Sequence, residues 1–382
     1  MKSNVVAVIG GGQLARMMQQ AAGPLDVRLR ALVEAADGAT AQVVPESFVG
    51  DPSDEEAVRA LLAADGASRL ALTFEHEHQD TELLQRLAAE GVSVQPPPNA
   101  LLYARDKLKM RERLSALGAP VPDWAVISSA SDLDRFLAGH GGEAIVKTAR
   151  GGYDGKGVRL VTDAEDIADW LAGDIELIAE EKVSFDMEVA ALLARRPSGE
   201  MRHWELTQTI QEDGVCAVAI APAPEVSGEL RAEARRIAEL IAEGLGVTGV
   251  LAVEMFVTGS RLLVNELAMR PHNSGHWTIE GATTSQFEQH LRAVLDLPLG
   301  ATGMRAPHAV MTNVLGSELS DPAEAYPEVM AHLSEVKVHL YGKGVRPGRK
   351  LGHVSAIGDD LAVLTERTAA AAALLRGERR DK

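Results

Sequence analysis

Short apolar strands alternate with amphipathic helices over the first 90 residues, and this alternation restricts the fold more than any other feature. Val5 to Ile9 is a β-branched run that ends in Gly10-Gly11-Gly12, and a helical pattern follows. Leu29 to Val33 and Leu70 to Phe74 repeat the strand signal, with helical stretches between and after them. Strands that alternate with helices pair in parallel, and helices cover both faces of the sheet. The region therefore predicts a Rossmann-like parallel sheet.

The rest of the chain is predicted to form further units, because 382 residues exceed one comfortable hydrophobic core. Pro96-Pro97-Pro98 marks a boundary, since proline fits neither a helix interior nor a central strand. Beyond it we predict one helix over 100–117, a second over 163–171 and an amphipathic helix over 229–244. The predicted strands are 144–148, 176–181, 187–194 and 202–211, with a hairpin formed by 249–257 and 261–267. The C-terminal part is rich in strands and closes with an Ala-rich helix.

The charge and the cysteine content exclude several classes of partner. The net charge of −17 argues against nucleic acid and anionic membranes, because phosphate groups favour Lys and Arg. Cys216 is the only cysteine, so neither an internal disulfide nor a cysteine metal cluster can form. There is no uninterrupted apolar stretch of about 18 residues and no leader-like segment, so we expect a cytoplasmic protein without a membrane span.

The glycine turn after the first strand allows two interpretations. Residues 10–15 match the pattern Gly-x-Gly-x-x-Ala between a strand and a helix, and Glu34 ends the second strand. Such a turn is typical of dinucleotide sites, where a carboxylate binds the ribose, and would favour a nicotinamide-dependent oxidoreductase. The other interpretation keeps only the affinity of a helix N-terminus for an anion. The remaining motifs favour ATP chemistry.

A lysine and a glycine-rich loop follow the strand over 144–148. Lys147 supplies a point charge, and four glycines among residues 151–157 permit close approach of backbone to phosphate. The loop is not a Walker A sequence, because no Ser or Thr follows Lys156. A flexible hairpin tip is the alternative. Lys107, as a second base, and Glu180 to Val183, as a strand edge suited to adenine, favour the nucleotide interpretation.

Two carboxylates in the predicted hairpin suggest a metal site. A three-residue loop over 259–261 places Thr258 across from Leu262, and in that register Glu254 lies opposite Glu266 on one face. Such a pair repels by roughly 1 kcal/mol or more, and a divalent cation removes the repulsion. Two carboxylates, the amide of Asn265 and nucleotide phosphates suit Mg²⁺. The alternative is a surface pair tolerated in water.

Two further clusters carry polar chemistry. Residues 265–277 combine carboxylate, guanidinium and imidazole groups directly after an apolar strand, which is typical of a functional loop. The segment 337–353 contains five Lys or Arg residues and no acidic residue, which in so acidic a chain predicts an anion site suited to a terminal phosphate. A solvated basic loop is the alternative for this segment.

The chain resembles the ATP-grasp family in Lys147, the Gly-Gly-Tyr-Asp-Gly-Lys-Gly loop, the Glu-Glu-Lys-Val edge and the set Glu254, Asn265 and Glu266. It is similar to a narrower family in residues 10–17 and 270–278, which read Gly-Gly-Gly-Gln-Leu-Ala-Arg-Met and Arg-Pro-His-Asn-Ser-Gly-His-Trp-Thr. These are the 5-(carboxyamino)imidazole ribonucleotide synthases of bacterial purine biosynthesis. The resemblance runs to the His-Leu-Tyr-Gly-Lys and Arg-Pro-Gly-Arg-Lys-Leu-Gly-His elements near the end.

This resemblance implies an α/β and α+β architecture of four units. They are a Rossmann-like pre-ATP-grasp domain over 1–98, a small ATP-grasp subdomain with the glycine-rich loop over 99–185, a large subdomain with the metal site over 186–300, and a β-rich C-terminal extension over 301–382. It also implies a homodimer. The implied reaction joins ATP, bicarbonate and 5-aminoimidazole ribonucleotide through carboxyphosphate, and releases ADP and phosphate.

The resemblance also implies roles for individual residues. Those expected to bind ATP are Lys107, Lys147, Gly152, Tyr153, Asp154, Gly155, Lys156, Gly157, Val158, Glu180, Glu181, Lys182, Val183, Glu188, Gln211, Asn265 and Glu266. Those expected near the ribonucleotide are Gln13, Leu14, Glu75, Tyr153, Asp154, Ser274, Lys343, Arg346, Arg349 and Lys350. Glu254 and Glu266 would bind Mg²⁺, or Mn²⁺ in its place. Arg270, His272 and Asn273 would hold the labile intermediate, with His276 as support.

Two departures from the family and three other functions complete the sequence predictions. Gln211 stands where the family often has His, and Met269 replaces a common Pro. Another ATP-grasp ligase, using formate or an amino acid, is the near alternative. A nicotinamide oxidoreductase and a catalytically silent nucleotide sensor are the alternatives from other classes.

Overall fold

The computed structural model describes residues 3–64, 66–151, 157–173 and 175–378. Its N-terminal region consists of β1 (Asn4–Ile9), α1 (Gln13–Ala22), β2 (Val27–Val33), β3 (Glu46–Val49), α2 (Glu55–Leu62), β4 (Arg69–Phe74) and α3 (Thr81–Ala89). The strand order is β3-β2-β1-β4, and every pair is parallel, which confirms the predicted sheet. Strand β3 was not predicted, because its residues Glu-Ser-Phe-Val form no apolar run.

Both faces of β1 are buried, which explains its continuous apolar sequence. Val6 and Val8 pack in one cluster with residues of α1, whereas Ala7 and Ile9 pack in another with residues of α2 and α3. A parallel sheet covered in this way leaves its functional groups at the carboxyl ends of the strands. The glycine turn follows β1 there, and Glu75 follows β4.

The single helix predicted over 100–117 is wrong. Two helices, α4 (Pro98–Arg105) and α5 (Lys107–Leu117), are separated at Asp106, whose φ of −122° and ψ of 103° are extended. The side chain of Asp106 caps α5 and forms a 2.8 Å ion pair with Arg150. Pro98 begins α4, although the triple proline was expected to exclude helix, because the first helical position needs no N–H donor.

The next unit is a small antiparallel sheet with helices on one side. Its elements are β5 (Trp124–Ile127), α6 (Ala130–Gly139), β6 (Ala144–Thr148), β7 (Val158–Val161), α7 (Ala168–Leu171) and β8 (Leu177–Glu181). The strand order is β5-β8-β6-β7. The helix predicted over 163–171 is a 3-10 turn over Ala164–Ile167 followed by α7. One face packs on α6, and the other carries Lys147 and Glu180.

A large antiparallel sheet forms the rest of the molecule. Its first part contains β9 (Met187–Arg195), β10 (Met201–His203), β11 (Thr207–Glu212), β12 (Val215–Ala221), α8 (Gly228–Gly244), β13 (Gly249–Thr258), β14 (Arg261–Ala268), α9 (Thr278–Gly281) and α10 (Gln286–Val294). The strand predicted over 202–211 is divided between β10 and β11. The predicted amphipathic helix and hairpin are present as α8, β13 and β14.

The C-terminal strands extend this same sheet. The elements are β15 (His308–Leu315), α11 (Tyr326–His332), β16 (Lys337–Leu340), β17 (Lys350–Gly358) and α12 (Leu361–Leu375). The strand order is β14-β13-β9-β11-β12-β15-β17-β16, and β10 pairs with β9. None of the helices in the described ranges combines the length and apolarity that a membrane span needs.

Candidate active site

A cleft of about 570 Å³ lies between the small sheet and the large sheet, and it collects most of the predicted site residues. Those that line it are Lys107, Lys147, Val158, Glu180, Glu181, Lys182, Val183, Glu188, Gln211, Glu254, Asn265, Glu266, Arg270, His272, Asn273 and Lys350. Gly157 lies next to this set, because its carbonyl accepts from the backbone of Thr148 on β6. The predictions for Gly152, Tyr153, Asp154, Gly155 and Lys156 fall outside the described residues.

The predicted pairing of Glu254 with Glu266 is present, but the predicted loop register is wrong. Thr258 pairs with Arg261, so the hairpin turn has two residues and not three. In an unbroken ladder that turn would place Glu254 opposite Asn265. A β-bulge in β14 shifts the register by one residue: Met255 pairs with Val264, Asn265 is the extra residue, and Glu254 then pairs with Glu266. The bulge therefore compensates for the shorter turn.

The two carboxylates differ in their electrostatic surroundings. Glu266 is open to the cleft, yet desolvation by the surrounding protein and the neighbouring Glu254 raise its pKa. Burial by itself would raise the pKa of Glu254, but the hydrogen bond and the charge of His272 lower it. His272 Nε2 lies 3.0 Å from Glu254 Oε1. A cation between the carboxylates would relieve the repulsion that Glu266 experiences.

The donor set fits a divalent cation that is shared with a nucleotide. Within the described residues, no group of three or more His, Cys, Asp or Glu side chains is arranged to hold a metal ion by itself. Glu254, Glu266 and Asn265 offer carboxylate and amide oxygens toward one cleft, a set that suits Mg²⁺ when phosphate and water supply its other ligands.

Lys147 lies in a buried charged network that the sequence did not reveal. Lys147 Nζ is 2.7 Å from Glu180 Oε2 and 3.3 Å from Asn265 Oδ1. The other oxygen of Glu180 accepts from Arg111 Nε at 2.6 Å. Burial by itself would raise the pKa of Glu180, but Lys147 and Arg111 outweigh it and lower the pKa to about 2. Glu180 thus provides the negative charge that holds Lys147 at the cleft.

Lys107 is the second lysine at this end of the cleft. It is the first residue of α5, and its Nζ donates to the carbonyl of Gly151 at 3.4 Å, beside the glycine-rich segment. Burial lowers the pKa of Lys107, although Glu266 acts in the opposite direction. Lys107 and Lys147 therefore converge on one end of the cleft.

Aromatic and polar groups border the part of the cleft predicted to receive the adenine and ribose. Phe185 and Phe256 stack with their ring centroids 4.7 Å apart. Burial and the charge of Glu254 raise the pKa of Glu188, and a hydrogen bond from Gln211 opposes the change. Gln211 therefore lies beside Glu188 in the cleft, at the position where the family that the chain resembles often has His.

Arg270 is held by a residue from the N-terminal domain. Its Nε lies 3.1 Å from a carboxylate oxygen of Glu77, which also accepts from the backbone of Met269 at 3.3 Å. Burial by itself would lower the pKa of Arg270, but Glu77 raises it, so the guanidinium stays charged. Glu75 was predicted as a site residue, whereas Glu77 was missed. The alternating Glu-His-Glu-His sequence directly after β4 was the signal by which Glu77 could have been found.

His272 and Asn273 are fixed by buried polar groups around them. Gln286 accepts from the backbone N–H of His272 at 2.8 Å and donates to its carbonyl at 2.7 Å. Ser274, predicted near the substrate, is fully buried and hydrogen-bonds to His272 Nδ1 at 2.9 Å, so it supports His272 and does not line the cleft. Asn273 Nδ2 donates to the carbonyl of Cys216 at 3.4 Å.

His276 is also a buried supporting residue. Its Nδ1 is 2.9 Å from Gln286 Nε2, and its ring lies 4.9 Å from that of His353. Burial, with the nearby His272, holds the pKa of His276 well below its usual value. A neutral imidazole in this position packs and accepts a hydrogen bond.

The glycine turn after β1 receives a carboxylate of the protein itself. Glu75 accepts from Gly12 N at 2.5 Å and from Leu14 N at 3.0 Å, so it occupies the N-terminus of α1. A Cβ on Gly10 would lie 2.6 Å from Glu75 Cβ, and one on Gly12 would overlap the carboxylate. The glycines therefore admit Glu75. This arrangement argues against the dinucleotide interpretation, since the donors for a pyrophosphate are already bound.

The predicted ribonucleotide residues divide into two groups. Gln13, Leu14, Glu75 and Lys343 come together, because Lys343 Nζ donates to Gln13 Oε1 and its charge acts on Glu75, whose pKa burial raises against the opposing effects of the Leu14 and Gly12 N–H groups and of Lys343. Of the other three bases, Arg349 and Lys350 lie near enough for their charges to add to the effect of burial and lower the pKa of Lys343. Arg346 is exposed, Arg349 also donates to the carbonyl of Gly344 at 2.9 Å, and Lys350 also lines the cleft.

Family models and known proteins match nearly the whole chain. Three family models match the chain: a ribonucleotide synthetase preATP-grasp domain over residues 2–105, an ATP-grasp domain over 112–287, and a phosphoribosylaminoimidazole carboxylase C-terminal domain over 309–367. The chain is 50% identical over 377 residues to N5-carboxyaminoimidazole ribonucleotide synthase of Mycobacterium tuberculosis strain H37Rv, covering 96% of this chain and 87% of that protein. It is 49% identical to the Corynebacterium ammoniagenes protein of the same name, covering 93% of this chain and 88% of that one.

Solved structures agree with the sequence matches. The N5-carboxyaminoimidazole ribonucleotide synthetase of Thermus thermophilus superposes with a TM-score of 0.87 at 38% identity, covering 99% of this chain and 100% of that chain. The Aspergillus clavatus enzyme in complex with ADP and 5-aminoimidazole ribonucleotide superposes with a TM-score of 0.86 at 29% identity, covering 98% of this chain and 99% of that chain.

Proposed function

This chain belongs to the N5-carboxyaminoimidazole ribonucleotide synthase family of ATP-grasp enzymes, and on that premise we propose the roles of its residues. It is a carbon-nitrogen ligase of purine biosynthesis that uses ATP and forms N5-carboxyaminoimidazole ribonucleotide. We propose bicarbonate as the carbon source and carboxyphosphate as the intermediate. The roles proposed below for individual residues are supported by the family resemblance and by the geometry of the cleft.

The ATP site is proposed at the end of the cleft where Lys107 and Lys147 converge. Both lysines are held close to Glu266 or Asn265, so phosphate oxygens bound by them would lie beside the carboxylate pair. Glu254 and Glu266, with Asn265, would hold Mg²⁺ or Mn²⁺, which when bound neutralises charge on the triphosphate. Val183, Glu188 and the other predicted residues of the cleft wall would border the adenine and the ribose.

Bicarbonate is a poor electrophile, so the proposed reaction must activate it before the amine can react with it. A bicarbonate oxygen bonds to the γ-phosphorus, ADP leaves, and the product is carboxyphosphate. The exocyclic amine of the ribonucleotide then bonds to the carboxyl carbon, the bond to phosphate breaks, and the amine loses one proton. Positioning and charge neutralisation account for most of the catalysis of phosphoryl transfer. The residues proposed to position the intermediate and to neutralise its charge are Arg270, His272 and Asn273.

The ribonucleotide is proposed to bind where the N-terminal domain meets the C-terminal segment. Gln13, Leu14, Glu75 and Lys343 form that surface, and Lys343 offers the positive charge for a 5′-phosphate. Glu77 comes from the same stretch as Glu75 and holds Arg270, so the ribonucleotide surface and the carboxylation residues share one segment after β4. This proximity suits transfer of a carboxyl group from the intermediate to the amine.

One observation carries the proposal: the pair Glu254 and Glu266 faces the same cleft as Lys147 and the group Arg270, His272 and Asn273. The test is ADP release by the purified protein, with ATP, bicarbonate, 5-aminoimidazole ribonucleotide or Mg²⁺ omitted in turn. We expect full turnover only with all four. Strong turnover without the ribonucleotide, or with formate or an amino acid in place of bicarbonate, would replace the proposal by the alternative ATP-grasp ligase.

Several other predictions remain proposals. Residues 1–98, 99–185, 186–300 and 301–382 are proposed as the four units of the chain. A homodimer is proposed from the family resemblance, and light scattering tests it. A cytoplasmic location is proposed from the single cysteine and the biosynthetic role, and fractionation of cells tests it.

A further inference from the structure

The bulge in β14 reverses which side chains of that strand face the core. Before the bulge, Leu262 and Val264 pack in the core beneath the sheet, whereas after it Leu267 and Met269 do so. The residues of β14 that face the core therefore have even numbers before the bulge and odd numbers after it. Without this change Glu266 would point into the apolar core. With it, Glu266 lies on the cleft side together with Glu254, and the neighbouring Asn265 also reaches the cleft.

The bulge also turns two consecutive carbonyl groups to the same side of β14. In a regular strand successive carbonyls point in opposite directions, so that only alternate ones face an edge. Here the carbonyls of Val264 and Asn265 both accept from Arg111, whose two terminal nitrogens donate to them at 2.9 Å each. Because β14 is the edge strand of the large sheet, no further strand competes for these groups. The planar guanidinium matches a pair of acceptors that only the bulge presents.

Arg111 is buried, and all three nitrogens of its guanidinium donate hydrogen bonds. Its exposed fraction is 0%, and its Nε donates to Glu180 at 2.6 Å while the terminal nitrogens bind β14. Glu180 in turn binds Lys147. Arg111 therefore joins the small sheet, through Glu180 on β8, to the strand that carries Asn265 and Glu266.

We propose that Arg111 is a positioning residue that fixes the bulge at Asn265 and so holds Asn265 and Glu266 on the face where a divalent cation and nucleotide phosphate bind. This inference rests on the proposed function, which places the cation at Glu254 and Glu266. Lys107 lies one helical turn before Arg111 on α5. The same face of this helix therefore carries both the lysine proposed to bind phosphate and the arginine that supports β14.

The test is binding of Mn²⁺ in the presence of a non-hydrolysable ATP analogue, followed by electron paramagnetic resonance. Loss of a group that orients a metal ligand typically weakens metal affinity about 10- to 100-fold, and we expect a loss in that range for Arg111→Met. Arg113→Met is the matched control. Arg113 lies on the same helix and also donates to a backbone carbonyl, that of Gly244 at 2.8 Å, but away from the cleft. Its Mn²⁺ affinity should equal that of the wild type.

A second comparison covers the case in which Arg111→Met fails to fold because Glu180 is left with one partner. The double variant Arg111→Met with Glu180→Gln removes both buried charges, and it is compared with Glu180→Gln alone. We expect a further loss of Mn²⁺ affinity of about tenfold in the double variant. Equal affinities in the two proteins, or a folded Arg111→Met with wild-type affinity, would overturn the inference.

Glu266→Gln separates this inference from the function on which it rests. If Glu266→Gln weakens Mn²⁺ binding and the Arg111 variants do not, the metal site stands and the role of Arg111 is wrong. If Glu266→Gln binds Mn²⁺ as the wild type does, the proposed metal site itself is wrong.

Discussion

Glu254 lies directly opposite Glu266 because the bulge at Asn265 adds one residue to β14 between the turn and the pair. The two-residue turn alone would have paired Glu254 with Asn265. The carboxylate pair, and with it the proposed cation site, therefore depends on a local irregularity of the sheet. Bulges beside active sites commonly redirect side chains in this way.

The first prediction concerns Glu266→Gln. Because the carboxylate would bind the cation that neutralises the triphosphate, turnover should fall about 10²- to 10³-fold. The fold should remain intact, and the melting temperature at pH 7 should stay equal or rise, since the raised pKa of Glu266 means that its charged form is disfavoured in the folded protein. ADP release and thermal unfolding measure the two effects. Glu212→Gln, an exposed carboxylate outside the cleft, is the control. Near-normal turnover in Glu266→Gln would remove its metal-ligand role.

The second prediction concerns the pH dependence of stability through Glu180. Its folded-state pKa of about 2 lies below the ordinary value of 4.5, so the charged form stabilises the folded protein. This contribution is complete above pH 4.5 and is lost as the pH falls toward 2. The difference in free energy of unfolding between the wild type and Glu180→Gln should be about 3 kcal/mol at pH 7 and should disappear on acidification.

Denaturant midpoints between pH 7 and pH 2.5 test this prediction. Glu112→Gln is the control, because Glu112 pairs with Lys109 on the surface of α5, where water and salt screen the ion pair. If the free energy of unfolding of the wild type exceeded that of Glu180→Gln by the same amount at every pH, the charge of Glu180 would not be the cause of the difference.

The third prediction distinguishes two lysines of the basic segment. Lys343 donates to Gln13 at the proposed ribonucleotide surface, whereas Lys337 is exposed on β16. Lys343→Met should raise the KM for 5-aminoimidazole ribonucleotide about 10- to 100-fold, the effect of losing a hydrogen bond to a charged group. The KM for ATP should change little. Lys337→Met is the control and should leave both constants unchanged. Equal effects of the two substitutions would favour a diffuse role for the segment.

The fourth prediction concerns the glycine turn. A Cβ on Gly12 would overlap the carboxylate of Glu75, so Gly12→Ala should displace Glu75 from the N-terminus of α1. The free energy of unfolding should fall by about 1–3 kcal/mol, and the KM for the ribonucleotide should rise. Gly23→Ala at the other end of α1 is the control, because no atom lies within 4 Å of its Cβ position and its φ of −54° is helical. Unchanged stability in Gly12→Ala would show that Glu75 tolerates the methyl group.

Secondary-structure elements could be predicted from the sequence better than their junctions. The parallel sheet around β1, the helix α8 and the hairpin of β13 and β14 follow from apolar periodicity, which local residues determine. The break at Asp106 was missed, because helical periodicity continues on both sides of a residue whose side chain caps the second helix. The pairing of Glu254 with Glu266 was correct, although it was derived from a turn one residue too long. A change of apolar phase, from Leu262 and Val264 to Leu267 and Met269, is present in the sequence and was the available signal for the bulge, which was not predicted.

By itself, the sequence determined the kinds of chemistry available: the lysines, the acidic pair, the polar cluster after β14 and the basic segment. Only the tertiary structure decided how they are used. It placed Glu75 on the glycine turn, Glu77 on Arg270, Ser274 beneath His272, and Arg111 across Glu180 and the bulge. Most of these contacts join residues far apart in the chain, and their strength depends on burial, because a charged group removed from water must find a partner in the folded protein. Periodicity and local motifs carry no information about which partner that will be.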